Sequence, residues 1–229
     1  MRVLSYIYFL LCFFMIFSCT KRQENNLYPS KDIIIKTHTD WTKNHYPQRI
    51  AEFKQKPLQK GDIVFLGNSI TEQGGNWTEK LNIQNVKNRG VSGDTTEGIL
   101  ARINEIIYTE PSKLFLLIGI NDLYSNKISV EKIHRNILKI IEKVAAKNPE
   151  TDIFVNTVLP TYDDSLIKKI SELNSLLNKS QKTNTYKLIN IYNDFVLPNG
   201  KMNMNYSTDG VHLNEKGYQL WIKNLKKNL

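Results

Sequence analysis

The sequence predicts an α/β protein: a three-layer α/β/α sandwich around a five-stranded, mainly parallel sheet. Three observations predict it. From residue 62 onward, short apolar runs ending in turn residues alternate with amphipathic helical stretches. Such runs suit buried strands, and the alternation implies βαβ units with helices on both faces. The 229 residues suit a single domain, and no internal repeat is visible.

The first element lies outside that pattern. Met1-Arg2-Val3 opens the chain, Leu4 to Phe17 is almost wholly apolar, and Ser18-Cys19 follows. A short basic start, an apolar run and a small residue describe a secretory signal. Ile16-Phe-Ser-Cys19 also resembles a bacterial lipoprotein lipobox, which implies cleavage before Cys19 and a lipid on its thiol. The other reading is an uncleaved membrane anchor, but the run is short for a span of about 20 residues. The expected layout is a leader over residues 1–18, a polar tether over 19–31 and a folded domain over 32–229. Both cysteines, Cys12 and Cys19, fall outside the folded domain. With Cys19 lipidated, disulfides and cysteine metal sites are excluded there.

Trp41 to Phe53 reads as a helix beside the main domain, with Ile50 and Phe53 at helical spacing. Five strand candidates follow. They are Asp62–Leu66, Val86–Asn88, Lys113–Ile118, Ile153–Val158 and Lys187–Ile191. Between them Ile99, Ile103 and Ile106 recur at helix spacing. Ile133, Ile137, Ile140, Ile141 and Val144 form one apolar stripe, with Ser129 as its N-cap. Leu166, Ile170, Leu173 and Leu177 form another. A last helix starts near Asn214 and carries Tyr218, Trp221 and Leu225. Right-handed crossovers make the three-layer sandwich.

Net charge is +9, and loss of the leader removes only Arg2. The lysines are dispersed, with no long basic block. That composition reads as solvated faces rather than as a surface for an anionic substrate or a membrane, and no nucleic-acid partner is implied.

Ligands bind beyond the carboxyl ends of strands in such sheets. Gly67-Asn-Ser69-Ile-Thr71 follows the first strand. Asn88-Arg-Gly-Val-Ser-Gly93-Asp-Thr95 follows the second, and Gly119-Ile-Asn121-Asp122 the third. Asp209-Gly-Val-His212 precedes the last helix. The topology thus brings a serine, glycine-rich backbone, an amide and an Asp/His pair to one rim, the set that acyl transfer needs. A serine hydroxyl needs a base to take its proton, a role open to His212. A carboxylate must orient that base, and Asp209 lies three residues away. The tetrahedral intermediate needs donors, open to the Ser69 and Gly93 N–H groups and the Asn121 amide.

These four segments resemble the blocks of the GDSL esterases and lipases, also called SGNH hydrolases, whose fold is flavodoxin-like. They stand in order and at family-like spacing from about residue 61 to the C-terminus. The resemblance implies Ser69 as nucleophile, Gly93 and Asn121 as oxyanion donors, and Asp209 and His212 as acid and base. One departure is Asn68, where the family usually has Asp. Asn keeps the shape but loses the charge and gains donors. The chain order Ser, Asp, His also fits α/β-hydrolases, but their Gly-x-Ser-x-Gly elbow is absent.

The resemblance is closest to the small-ester branch, similar to platelet-activating-factor acetylhydrolase-like proteins and carbohydrate O-acetylesterases. It implies a short acyl group, often acetyl, on a small-molecule or glycan ester. Location in the cell envelope, anchored through Cys19, fits a glycan substrate. No cofactor is implied, and Asp209 with His212 alone makes a poor metal site. A non-catalytic glycan-binding lipoprotein of the same fold, and an acyltransferase using the same acyl-enzyme, are the alternatives. Trp77 and Tyr124 each read equally as a pocket wall or a core aromatic. Asp94 and Asp122 read as loop holders, and His38, His45 and His134 as structural or exposed residues.

Overall fold

The computed structural model describes residues 27–183 and 185–229. The leader, the lipobox and both cysteines lie outside the described residues. Tyr28, within the expected tether, is docked on the domain. Its hydroxyl donates to Glu105 at 3.1 Å, and Lys54 lies over its ring.

Helix α1 (Asp40–Gln55) starts at a Thr39 cap whose side chain accepts from the Thr42 N–H. Strand β1 (Ile63–Gly67) runs into the short helix α2 (Ser69–Glu72), and α3 (Trp77–Leu81) follows. Then come β2 (Val86–Gly90), α4 (Thr96–Arg102) and α5 (Asn104–Thr109). β3 (Lys113–Leu117) leads into α6 (Ile120–Ser125), and α7 (Val130–Lys147) crosses back to β4 (Asp152–Asn156). The remainder is α8 (Ile167–Ser180), β5 (Lys187–Ile189), α9 (Tyr192–Phe195) and α10 (Glu215–Leu225).

All five strands are parallel, in the order β2-β1-β3-β4-β5. Gly67 pairs in register with both Gly90 and Leu117, so β1, β2 and β3 end at one level. Alternate residues of each strand feed two cores. Val64, Leu66, Leu114, Leu116, Ile153 and Val155 pack with the apolar stripes of α4, α5, α7 and α8. On the other face Phe65, Phe115 and Phe154 stack side by side, with centroids 4.9 and 4.8 Å apart, and Trp77 and Trp221 close that side. Two cores on two sheet faces make the three layers.

Several expected boundaries move, each for a local reason. β4 stops at Asn156 because the Val158 N–H turns aside to Asn174 Oδ1 at 2.8 Å. β5 stops at Ile189 because the Ile191 N–H folds back onto the Ile189 carbonyl and the Thr157 hydroxyl. The Ile99, Ile103 and Ile106 stripe belongs to two short helices rather than one, parted at Ile103. Its apolar spacing continues across the break, so periodicity alone does not reveal it. Trp77 is a core residue, stacked 4.3 Å from Phe65, with its indole N–H donating to the Thr71 carbonyl.

Candidate active site

Gly67 ends β1, and Asn68 caps α2 by accepting the Ile70 N–H at 3.1 Å. That sharp strand-to-helix turn sets Ser69 at the first position of α2, only 7% exposed. The nitrogen of the Asn68 amide is buried and has no hydrogen-bond partner among the described residues. The extra donors brought by Asn are therefore not absorbed by the surrounding protein.

His212 comes from the far end of the chain. The Ser69 hydroxyl oxygen lies 2.9 Å from His212 Nε2, and Asp209 Oδ2 lies 2.7 Å from His212 Nδ1. The other Asp209 oxygen accepts the N–H groups of Val211 and His212 at 2.9 and 2.8 Å. Burial works to raise the Asp209 carboxyl, but the bonds from the His212 ring and the two N–H groups outweigh it. Asp209 is thus held below the usual carboxylate range and stays ionised. With a carboxylate at Nδ1, the ring carries its proton there and Nε2 is free to accept from Ser69. The turn is further tied by Ser207, whose hydroxyl donates to the His212 carbonyl at 2.6 Å and accepts the Gly210 N–H at 2.9 Å.

Gly93 and Asn121 come from the ends of β2 and β3. Gly93 has φ +78°, and a Cβ there would lie 2.1 Å from Thr42 Oγ1. Both the left-handed backbone and the close approach of α1 demand glycine. The Asn121 amide donates one proton to the Asp94 carbonyl at 2.9 Å, one residue past Gly93. Its second proton remains available. Among the described residues, the N–H groups of Ser69 and Gly93 meet no protein acceptor. The structure thus gathers all five residues predicted from the sequence on the same edge of the sheet.

Beneath this rim is a buried polar network. Asp94 is fully buried and is met by His38 Nε2 at 3.0 Å and by Arg102 at 2.9 Å. Arg102 also donates to the Gly67 carbonyl at 3.1 Å, just ahead of Ser69. Asp122 accepts the Thr96 N–H at 3.0 Å and its hydroxyl at 2.7 Å. Burial pushes Asp122 up to about 7, with the Thr96 bonds working against the rise and the Asp94 charge adding to it. Asp94 and Asp122 hold loops, as the sequence suggests. The contact with His38 was not legible there, since partners 56 residues apart leave no local pattern, and Arg102, eight residues on, stands in a different element. His134 is spent on Ser180 Oγ at 2.9 Å. Tyr124 is 42% exposed and stands at the acid–base side, where burial raises its pKa against a hydrogen bond with Thr161.

One cavity of about 10 Å³ is walled by Ile70, Ile120, Val158, Leu159 and Val211. Another of about 460 Å³ lies between residues 29–35 and the outer face of α1, and none of the five site residues lines either of them. Among the described residues no cluster of three metal-ligating side chains exists.

Residues 65–220 match the GDSL-like Lipase/Acylhydrolase family. The chain is 27% identical over 165 residues to platelet-activating factor acetylhydrolase IB subunit alpha2 of Rattus norvegicus, spanning 69% of this chain and 71% of the relative. The crystal structure of a GDSL-like lipase from Bacteroides thetaiotaomicron superposes with a TM-score of 0.70 at 26% identity, covering 80% of this chain and 96% of that one. An acetyl xylan esterase shares the fold, with a TM-score of 0.63 at 19% identity over 73% of this chain and 99% of its own.

Proposed function

The chain belongs to the GDSL-like lipase/acylhydrolase family, and on that premise we propose that it is a serine esterase cleaving short acyl esters, acetyl groups on carbohydrate foremost. The single observation that carries the reading is the hydrogen-bonded line Asp209–His212–Ser69, at 2.7 and 2.9 Å.

Ser69 Oγ attacks the ester carbonyl while His212 Nε2 takes its proton. Asp209 holds the ring and stabilises the imidazolium. The oxyanion is met by the Ser69 and Gly93 N–H groups and the free Asn121 proton, donors that cost no reorganisation. His212 returns its proton to the departing alcohol, leaving the acyl group on Ser69. A water then attacks with His212 again as base, and the acid leaves. The sum is ester plus water giving acid plus alcohol.

Two features support a short acyl group. The cavity of about 10 Å³ walled in part by Ile70 has room for about one water-sized group. Three of its apolar walls, Ile70, Ile120 and Val211, are chain neighbours of Ser69, Asn121 and His212. The rat relative is named an acetylhydrolase. The carbohydrate half of the reading draws on Tyr124 and Tyr162, 42% and 56% exposed, near the acid–base turn. The Tyr162 N–H donates to the Gly210 carbonyl at 2.9 Å. Flat aromatic faces of this kind suit a sugar ring. Anchoring through a lipid on Cys19 would set this activity in the cell envelope.

The test is a series of p-nitrophenyl esters alongside acetylated sugars. We expect acetate to be cleaved much faster than decanoate, and acetate to be released from the sugars. Faster cleavage of the long chain contradicts the short-acyl reading.

A further inference from the structure

Helix α1 precedes the residues matched to the family, yet one of its faces is given over to the loop that carries Gly93. Thr42, His45 and Arg49 are spaced i, i+3 and i+7, so they share that face. Thr42 sits where a Cβ on Gly93 would go. Arg49 donates through Nε and Nη2 to the Gly90 carbonyl at 3.2 and 3.1 Å. His45 Nε2 lies 3.1 and 3.0 Å from the two oxygens of Glu72. Arg49 Nε lies 3.4 Å from the same carboxylate. Glu72 itself accepts the N–H of Ser92. Trp41 stacks on His45, centroids 4.7 Å apart.

Glu72 is therefore a joint. It stands on α2, three residues beyond Ser69, and its carboxylate grips the residue just before Gly93. The carboxylate is largely buried, at 18% exposure, so its direction depends on the donors that meet it. His45 supplies the donor that spans both oxygens.

We propose that His45 is a positioning residue for the oxyanion loop, setting the Gly93 N–H against Ser69 through Glu72 and Ser92. The proposal rests on the reading of Gly93 as an oxyanion donor. Such a donor acts only within about 2.7–3.1 Å of the developing charge. A small misplacement is therefore felt in the transition state and scarcely at all in substrate binding.

The test is steady-state hydrolysis of p-nitrophenyl acetate by the wild type, His45→Ala, His45→Gln and Asn121→Ala, with melting temperatures alongside. We expect His45→Ala to lose about tenfold to a hundredfold in kcat with KM unchanged. The Gln side chain also donates to Glu72, so His45→Gln is expected to recover most of that loss at a melting temperature matching His45→Ala. Equal losses in the Ala and Gln variants, or a loss confined to KM, overturn the positioning role. An unchanged kcat in His45→Ala beside a slowed Asn121→Ala overturns it alone. An unchanged rate in Asn121→Ala removes the oxyanion reading beneath it and overturns both.

Discussion

The Asp209–His212 turn and the rim of Ser69, Gly93 and Asn121, the two halves of the proposed site, are built in opposite ways. Asp209 and His212 lie three residues apart in a single exposed turn, with side chains 54% and 28% exposed. Their geometry is set locally, by two backbone N–H groups and a serine hydroxyl. Ser69, Gly93 and Asn121 arrive from three strands and rest on Asp94, Arg102 and Asp122, all buried. A local turn can be altered without endangering the fold. A rim supported by buried charge cannot.

The largest expected effect breaks the catalytic half alone. Asp209→Asn keeps the two backbone acceptor bonds through its amide oxygen but offers the His212 ring the wrong partner. We expect kcat to fall by about 10⁴ while the melting temperature stays close to wild type. A comparable fall in stability would show that the turn is not independent of the fold.

The converse change strikes the other half. Arg102→Ala leaves the buried Asp94 carboxylate with His38 and the Thr95 N–H but no guanidinium, and takes from the Gly67 carbonyl one of its two donors, the other being the Val91 N–H. Removing one partner of a buried pair costs about 3–5 kcal/mol. Chemical denaturation is expected to show a loss of that order. A loss under about 1 kcal/mol, in the range of exposed pairs, would erase the contrast between the two regions.

These differences explain what could be read in advance. The strands of the central sheet are buried on both faces, so their apolar runs are continuous and visible in sequence. β2 is weaker, as Val86-Lys-Asn-Arg-Gly90 is an edge strand with two half-buried polar side chains. The five candidate residues could be picked out because each sits at a strand end or in a short motif. Asp94 with Arg102 and His38, or Glu72 with His45, joins residues that only the folded chain brings together. The split of the Ile99–Ile106 stripe stayed hidden because an apolar face records which side is buried, not whether the backbone is continuous.

The last expected effect sharpens the contrast through pH. Asp122 rises from its ordinary 3.8 to about 7 on burial. Across that window the folded chain binds a proton that the unfolded chain has lost. Stability therefore falls as pH climbs from about 4 to about 7. Asp122→Asn, which still accepts from Thr96, is expected to flatten that segment of the stability profile. An unchanged slope would remove Asp122 as its source.

The central claim is that Ser69 is the nucleophile activated by His212. Labelling with a fluorophosphonate probe, followed by mass spectrometry of the peptides, tests it most directly. One adduct is expected, on Ser69, absent from Ser69→Ala and strongly slowed in His212→Ala. An adduct on another serine, or undiminished labelling of Ser69→Ala, would contradict it.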